Sequence, residues 1–171
     1  MTVTKVETDR KALTMTVTAH YDAPIERVWQ LWADPRLLER WWGPPTYPAT
    51  VTEHDLSPGG RVKYFMTGPG GDTPGGWWRV IAVDEPHRIE FEDGFADAEG
   101  NPDPGLPTTR NTVTIAPDGD RVRMTIEATF GSIEAMEEIL TMGAEEGMRQ
   151  AVGQIDALLT QLAGSEAEVG S

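Results

Sequence analysis

Residues 22–44 read DAPIERVWQLWADPRLLERWWGP, and this stretch decides how the rest of the chain is read. Pro24 suits the first turn of a helix, where a missing N–H costs nothing. Ile25, Val28, Trp29 and Trp32 then recur at helical spacing. Asp34 can cap a second short helix that carries Pro35 at its first position. Leu37, Leu38, Trp41 and Trp42 give that helix its apolar side, and Gly43-Pro44-Pro45 stops it. Neighbouring residues on a helix point in different directions, so the Trp41-Trp42 pair poses a choice. Either both indoles pack into the core, or one of them lines a cavity.

Working outward, residues 13–21 (LTMTVTAHY) alternate, with Met15, Val17, Ala19 and Tyr21 on one face. That predicts a strand with one side buried. Beyond the helices the pattern turns to strands: residues 47–56, then 61–68 after the turn Ser57-Pro58-Gly59-Gly60, then 77–86 and 87–95. Ile89 and Phe91 share one face of the last of these, opposite Arg88, Glu90 and Glu92. Residues 111–130 predict a hairpin turning at Pro117-Asp118-Gly119-Asp120. The remainder is helical. Ser132 is positioned to cap a first segment, Gly143 breaks it, and a longer segment runs from about Ala144 to Leu162. Its stripe includes Met148, Val152, Ile155 and Leu159.

The predicted order is strand, two short helices, six strands and a long C-terminal helix. An antiparallel sheet with one apolar face needs a cover, and the amphipathic helix supplies it. The expected organisation is a flexible N-terminus over residues 1–11, one α+β domain over 12–163, and a disordered tail over 164–171. The expected sheet has six to seven strands.

The chain has 171 residues, 39% hydrophobic and 25% charged, which is ordinary for a soluble globular domain. No apolar run is long enough to span a bilayer, and residues 1–10 lack a signal-peptide core. There is no cysteine, which excludes disulfides, thiolate nucleophiles and cysteine-ligated metals. These features predict a cytoplasmic location. The net charge of −14, with arginines and lysines scattered, argues against nucleic-acid binding.

Three fragments in this order, residues 22–44, 55–71 (DLSPGGRVKYFMTGPGG) and 129–159 (TFGSIEAMEEILTMGAEEGMRQAVGQIDALL), resemble the START-like superfamily with its helix-grip fold. The branch they look most like is named after the C-terminal domain of the activator of the Hsp90 ATPase. The resemblance covers most of residues 12–162. It implies a curved antiparallel sheet wrapped around the C-terminal helix, with a cavity between them. In the wider superfamily such cavities hold lipids, sterols, plant hormones or polyketide intermediates, and some members are aromatase/cyclases. The co-chaperone has a separate N-terminal Hsp90-binding domain for which these residues leave no room, so Hsp90 activation is not expected. Family members are often dimers, which makes a homodimer possible.

The expected partner is therefore a small hydrophobic molecule, held by Trp41, Trp42, Tyr64, Met66, Trp78, Phe91, Met124, Met142 and Met148. The methionines fall on strands and helix that should face one another, and flexible thioethers suit an adaptable cavity. Adjacent strand residues face opposite ways. We place Trp78 inward because Val80 and Ala82 share its face, while Trp77 with Ile81 and Val83 forms the competing assignment. A cyclase-like enzyme would need a polar group in the cavity, and Arg79, Tyr64 and His54 are its candidates. A chaperone-related interaction module would need an exposed apolar patch instead. His20 and His87 are expected at the surface, and the adjacent His54-Asp55 cannot form a dyad on one strand face. The sequence assigns no catalytic residue, no metal site and no cofactor. Residues 97–103 (DAEGNPD) begin like a calcium loop but place Pro102 where the sharp-turn glycine belongs, and are read as a solvated loop.

Overall fold

The computed structural model describes residues 4–169, with side chains from 5 to 164. Eight strands form one antiparallel sheet: β1 (Thr4–Asp9), β2 (Thr14–Tyr21), β3 (Ala49–His54), β4 (Arg61–Met66), β5 (Gly75–Asp84), β6 (Arg88–Ala96), β7 (Thr109–Asp118) and β8 (Arg121–Phe130). Their order is β1-β2-β8-β7-β6-β5-β4-β3. Helices α1 (Ile25–Ala33) and α2 (Pro35–Leu38) carry the chain from β2 to the far edge at β3. Helices α3 (Ile133–Thr141), α4 (Ala144–Val152) and α5 (Ile155–Val169) complete it. The arrangement is an α+β helix-grip fold.

The alternation read in the sequence is the alternation that buries. In β2, Met15, Val17, Ala19 and Tyr21 are all buried. In β8, Val122, Met124, Ile126 and Ala128 are buried between exposed or half-exposed neighbours. The β7–β8 hairpin closes through Gly119 at φ 66, the left-handed position its tight turn requires. Val152, Ile155, Leu158 and Leu159 bring α4 and α5 into the core that lies on this face of the sheet.

Four expectations are corrected. Thr4–Asp9, expected within a flexible N-terminus, forms edge strand β1, paired from Thr4↔Ala19 to Asp9↔Thr14. Its side chains are mostly polar, so it shows no hydrophobic period, and its order comes from the ladder it adds to β2. This raises the strand count to eight. The single long C-terminal helix is interrupted at Gly153-Gln154, where Gly153 closes α4 through its N–H to the Arg149 carbonyl. The tail begins helical, since α5 continues to Val169; Gly170 and Ser171 lie outside the described residues, as do residues 1–3. Finally, α2 ends at Leu38, so Trp41 and Trp42 sit in the turn beyond it, both donating backbone N–H groups to the Leu38 carbonyl.

That turn is tied down from two sides. The Asp34 side chain caps α2 by accepting from the Arg36 N–H at 2.8 Å. Arg36 donates to the Val51 carbonyl at 2.8 Å, and Glu39 accepts the Val51 N–H at 2.9 Å. These two side chains satisfy backbone groups of edge strand β3 that would otherwise be free to pair with another chain. From the opposite side, Gln154 in the helix break donates to the carbonyls of Gly43 (2.7 Å) and Trp41 (3.3 Å). A Cβ on Gly43 would lie 2.1 Å from the Tyr47 carbonyl oxygen, so only glycine lets the chain turn this closely into β3.

Candidate functional site

The indoles of the corner belong to one continuous group of rings. Trp32 meets Trp41 edge-on at 4.8 Å and Trp42 at 5.8 Å. Trp42 meets Trp78 at 4.9 Å and Tyr64 at 6.2 Å, and Trp78 stacks on Phe91 at 4.1 Å. Trp41 is fully buried and donates its indole N–H to the Leu31 carbonyl at 2.9 Å. The Trp32 indole N–H points at the Met124 sulfur, 3.4 Å away. Trp42 stands at the edge of this cluster, and on its far side lies a cavity of about 300 Å³.

The cavity lies between the inner face of the sheet and the α3–α4 corner. Trp42, Tyr64, Met66, Met142 and Met148 of the expected ligand-binding set line it. Trp41, Trp78, Phe91 and Met124 do not: their side chains are buried behind the cavity wall, against one another and the core. The sequence pattern identifies inward-facing aromatics but not which level of the sheet each occupies. Met142, 52% exposed at the end of α3, marks the mouth, beside Gly143 at φ 90, where the chain turns into α4.

The question of which β5 tryptophan points inward has a two-part answer. Trp78 and Val80 are buried, as the favoured reading has it. A bulge between Val80 and Ala82 then shifts the register, so that Val83 faces Ile89 and packs on the core. Trp77 lies on the outer face with its indole N–H donating to the Phe95 carbonyl at 3.1 Å.

Of the polar groups in the cavity, the sequence reading names Tyr64 and passes over Asp93, Thr109 and Asn111. Asp93 follows Ile89 and Phe91 on the inner face of β6, and it lines the cavity with Thr109 and Asn111 of β7. The signal was present in the alternation itself, which carries Ile89-Phe91-Asp93 along one face. Asn111 is 4% exposed and donates its side-chain N–H to Asp93 Oδ2 at 3.1 Å. Burial pushes the Asp93 carboxyl up to about 7; the Asn111 hydrogen bond opposes that, and the neighbouring Glu92 charge adds to it. Burial likewise pushes the Tyr64 hydroxyl well above its ordinary range, with the Asp93 charge acting the same way. The buried indole N–H groups of Trp42 and Trp78 approach that hydroxyl and pull in the opposite direction, but neither reaches hydrogen-bonding geometry.

Tyr64 owes its position to a missing side chain. It pairs with Gly76 across β4 and β5, and a Cβ on Gly76 would lie 2.3 Å from the tyrosine oxygen. The ring therefore lies over bare backbone.

Of the other polar candidates, Arg79 is on the outer face, paired with Glu92 at 3.3 Å. His54 bonds to the Trp32 carbonyl at 2.9 Å. His20 pairs with Asp118 at 3.0 Å, and His87 is exposed with its Nδ1 3.1 Å from the Ile115 carbonyl. In the loop at 97–105, Asp97 and Asp103 accept backbone N–H groups of their own turns. Among the described residues no cluster of three or more metal-ligating side chains occurs, and no helix is long and apolar enough to cross a membrane.

A family model described as "Activator of Hsp90 ATPase homolog 1-like protein" matches residues 22–160. No curated protein sequence matches the chain. Among solved structures, a Mycobacterium smegmatis protein is 52% identical, with 92% of this chain and 96% of that one covered at a TM-score of 0.85. An Arthrobacter aurescens protein is 48% identical, covering 92% and 91% at a TM-score of 0.88. A Staphylococcus epidermidis protein is 26% identical, covering 91% and 93% at 0.79.

Proposed function

The chain belongs to the family of activator of Hsp90 ATPase homolog 1-like proteins, and from that premise we propose that it binds a small apolar or aromatic molecule in the cavity under the α3–α4 corner. One observation carries the reading. A fold with a dense aromatic core keeps a cavity of about 300 Å³ beside it, walled by Trp42 and flexible methionines and open at Met142. That volume is at the lower end of small-molecule sites. A void of this size left empty forfeits the packing energy its walls would otherwise gain, so a fold retains it where a ligand fills it.

A second reading, a polyketide-cyclase-like enzyme acting on a hydrophobic intermediate, gains support from Asp93, an ionisable carboxyl that borders the cavity. In that case Asp93, rather than Arg79 or His54, is the group to carry protons. The interaction-module reading finds no comparable support: among the described residues the exposed large hydrophobics are Ile133 and Met142, and Met142 belongs to the cavity mouth.

Native mass spectrometry of protein purified from its own host tests the binding reading. A small molecule that co-purifies and is displaced by an apolar naphthyl probe is the expected result. A chain that arrives empty every time and binds no such probe overturns it.

A further inference from the structure

We infer that the molecule this cavity selects is an apolar amine, its body against Trp42 and the methionines and its protonated nitrogen on the Asp93 carboxylate. The inference deepens the cavity reading and rests on it.

The argument starts from what faces Asp93. Its Oδ2 accepts from Asn111, the only hydrogen-bond partner the carboxyl has among the described residues. Across β5 it is paired with Trp78, and across β7 with Thr109, both without charge. Tyr64 on β4 lines the same cavity with a neutral hydroxyl. From α3 and α4 the lining residues, among them Ile139, Met148 and Ala151, carry no ionisable group. Glu92, next along β6, adds a second negative charge from the outer face, where Arg79 pairs with it. No arginine, lysine or histidine lines the cavity among the described residues.

An ionised carboxylate in such a place is costly without an opposite charge. A ligand acid would set like charge against like charge. A neutral ligand can hydrogen-bond the protonated carboxyl but leaves the charge of the ionised carboxylate unmatched. An ammonium supplies the missing charge, and its three N–H groups find acceptors in Asp93, the Tyr64 hydroxyl and the Thr109 hydroxyl on the same wall. Burial raises the affinity of Asp93 for its proton, and a bound cation would displace that proton. At longer range the net charge of −14 draws cations toward the molecule.

The test uses three probes with one aromatic body: naphthylethylamine, naphthylethanol and naphthylacetate. The amine stays protonated from about pH 5.5 to pH 8, as a lysine does. Calorimetry at about pH 8 should give the amine roughly tenfold tighter binding than the alcohol, with the acid weakest. In the wild-type chain that preference should shrink severalfold at about pH 5.5, and Asp93→Asn should abolish it while the alcohol still binds. An acid that binds as tightly as the amine, or an amine preference that survives Asp93→Asn, overturns the inference. Binding of the alcohol but not the amine defeats the amine assignment and leaves the cavity reading standing; no binding of any probe defeats both.

Discussion

The inner face of the sheet has two ends that differ row by row. One row runs Ile89, Val113, Ile126, Val17 across β6, β7, β8 and β2, and the next brings together Ile115, Met124 and Ala19. All of these residues are buried and all but Ala19 are branched or bulky, and they meet Ile155, Leu158 and Leu159 of α5 in a single core. Moving the other way, the row Phe91, Asn111, Ala128, Met15 admits an amide and a methyl group. The following row, Trp78, Asp93, Thr109, Phe130, admits a carboxyl and a hydroxyl. The chemistry changes at Asn111 and Ala128 on β7 and β8 and one row later, at Asp93, on β6. One fold thus carries a tightly packed end that supplies stability and an open end where polar and small residues leave space.

The sharpest way to break this division is to damage the packed end and look for an effect confined to stability. Trp32 is fully buried and touches four other rings: Trp41, Trp42, Trp78 and Phe91. Trp32→Ala should cost about 3–5 kcal/mol, measured by urea unfolding. A loss below about 1 kcal/mol would show that the ring cluster is not what holds this end.

The next effect concerns the seam between the ends. Gly76→Ala places a methyl group where the Tyr64 ring lies. It should cost about 1–3 kcal/mol through forced displacement of the ring. The same change made in a Tyr64→Ala background should cost much less, since the clash has been removed. A coupling energy near zero in that double-mutant cycle would mean Tyr64 is not seated by the glycine.

How much of this division the amino-acid order reveals depends on the interaction that makes each part. The strands and caps are local: alternation at Met15-Val17-Ala19, the turn at Gly119 and the caps at Asp34 and Ser132 follow from neighbours in the chain. Strand β1 is not local. Its polar residues are ordered by pairing with β2, which no periodicity within Thr4–Asp9 announces. The cavity is less local still. Nine residues were expected around it, and Trp41, Trp78, Phe91 and Met124 lie behind its wall because level along the sheet is set by strand register. Asp93 could have been found by continuing the Ile89-Phe91 alternation two residues further. Its meeting with Asn111 could not, because that depends on the β6–β7 register that pairs Asp93 with Thr109.

Asp93 gives a smaller effect, with a sign fixed by linkage. Its folded-state value of about 7 lies above the ordinary 3.8, so the folded chain holds a proton that the unfolded chain releases between those values. Stability from this group is fully present below about pH 4 and is lost as pH rises toward 7. Asp93→Asn keeps an oxygen to accept from Asn111 but carries no charge. The variant should match the wild type near pH 4 and be more stable by about 1–2 kcal/mol at pH 8, discounted because the carboxyl borders an open cavity. Equal stability at both pH values would place the carboxyl in water, not against the cavity wall.

The smallest expected change in stability carries the most information about the open end. Ala128 is 5% exposed, sits between Asn111 and Met15 in its row, and lines the cavity. Phenylalanine there fills space that already exists, so the usual cost of overpacking, about 1–3 kcal/mol, should be largely absent. Thermal unfolding of Ala128→Phe is expected to differ little from wild type, within about 1 kcal/mol, while affinity for a naphthyl probe falls at least roughly tenfold. The paired test at the packed end is Ala19→Phe, where the row holds the fully buried Met124 and Ile115. That change should carry the full overpacking cost. If the two substitutions destabilise equally, the open end is as tightly packed as the other, and the division between them fails.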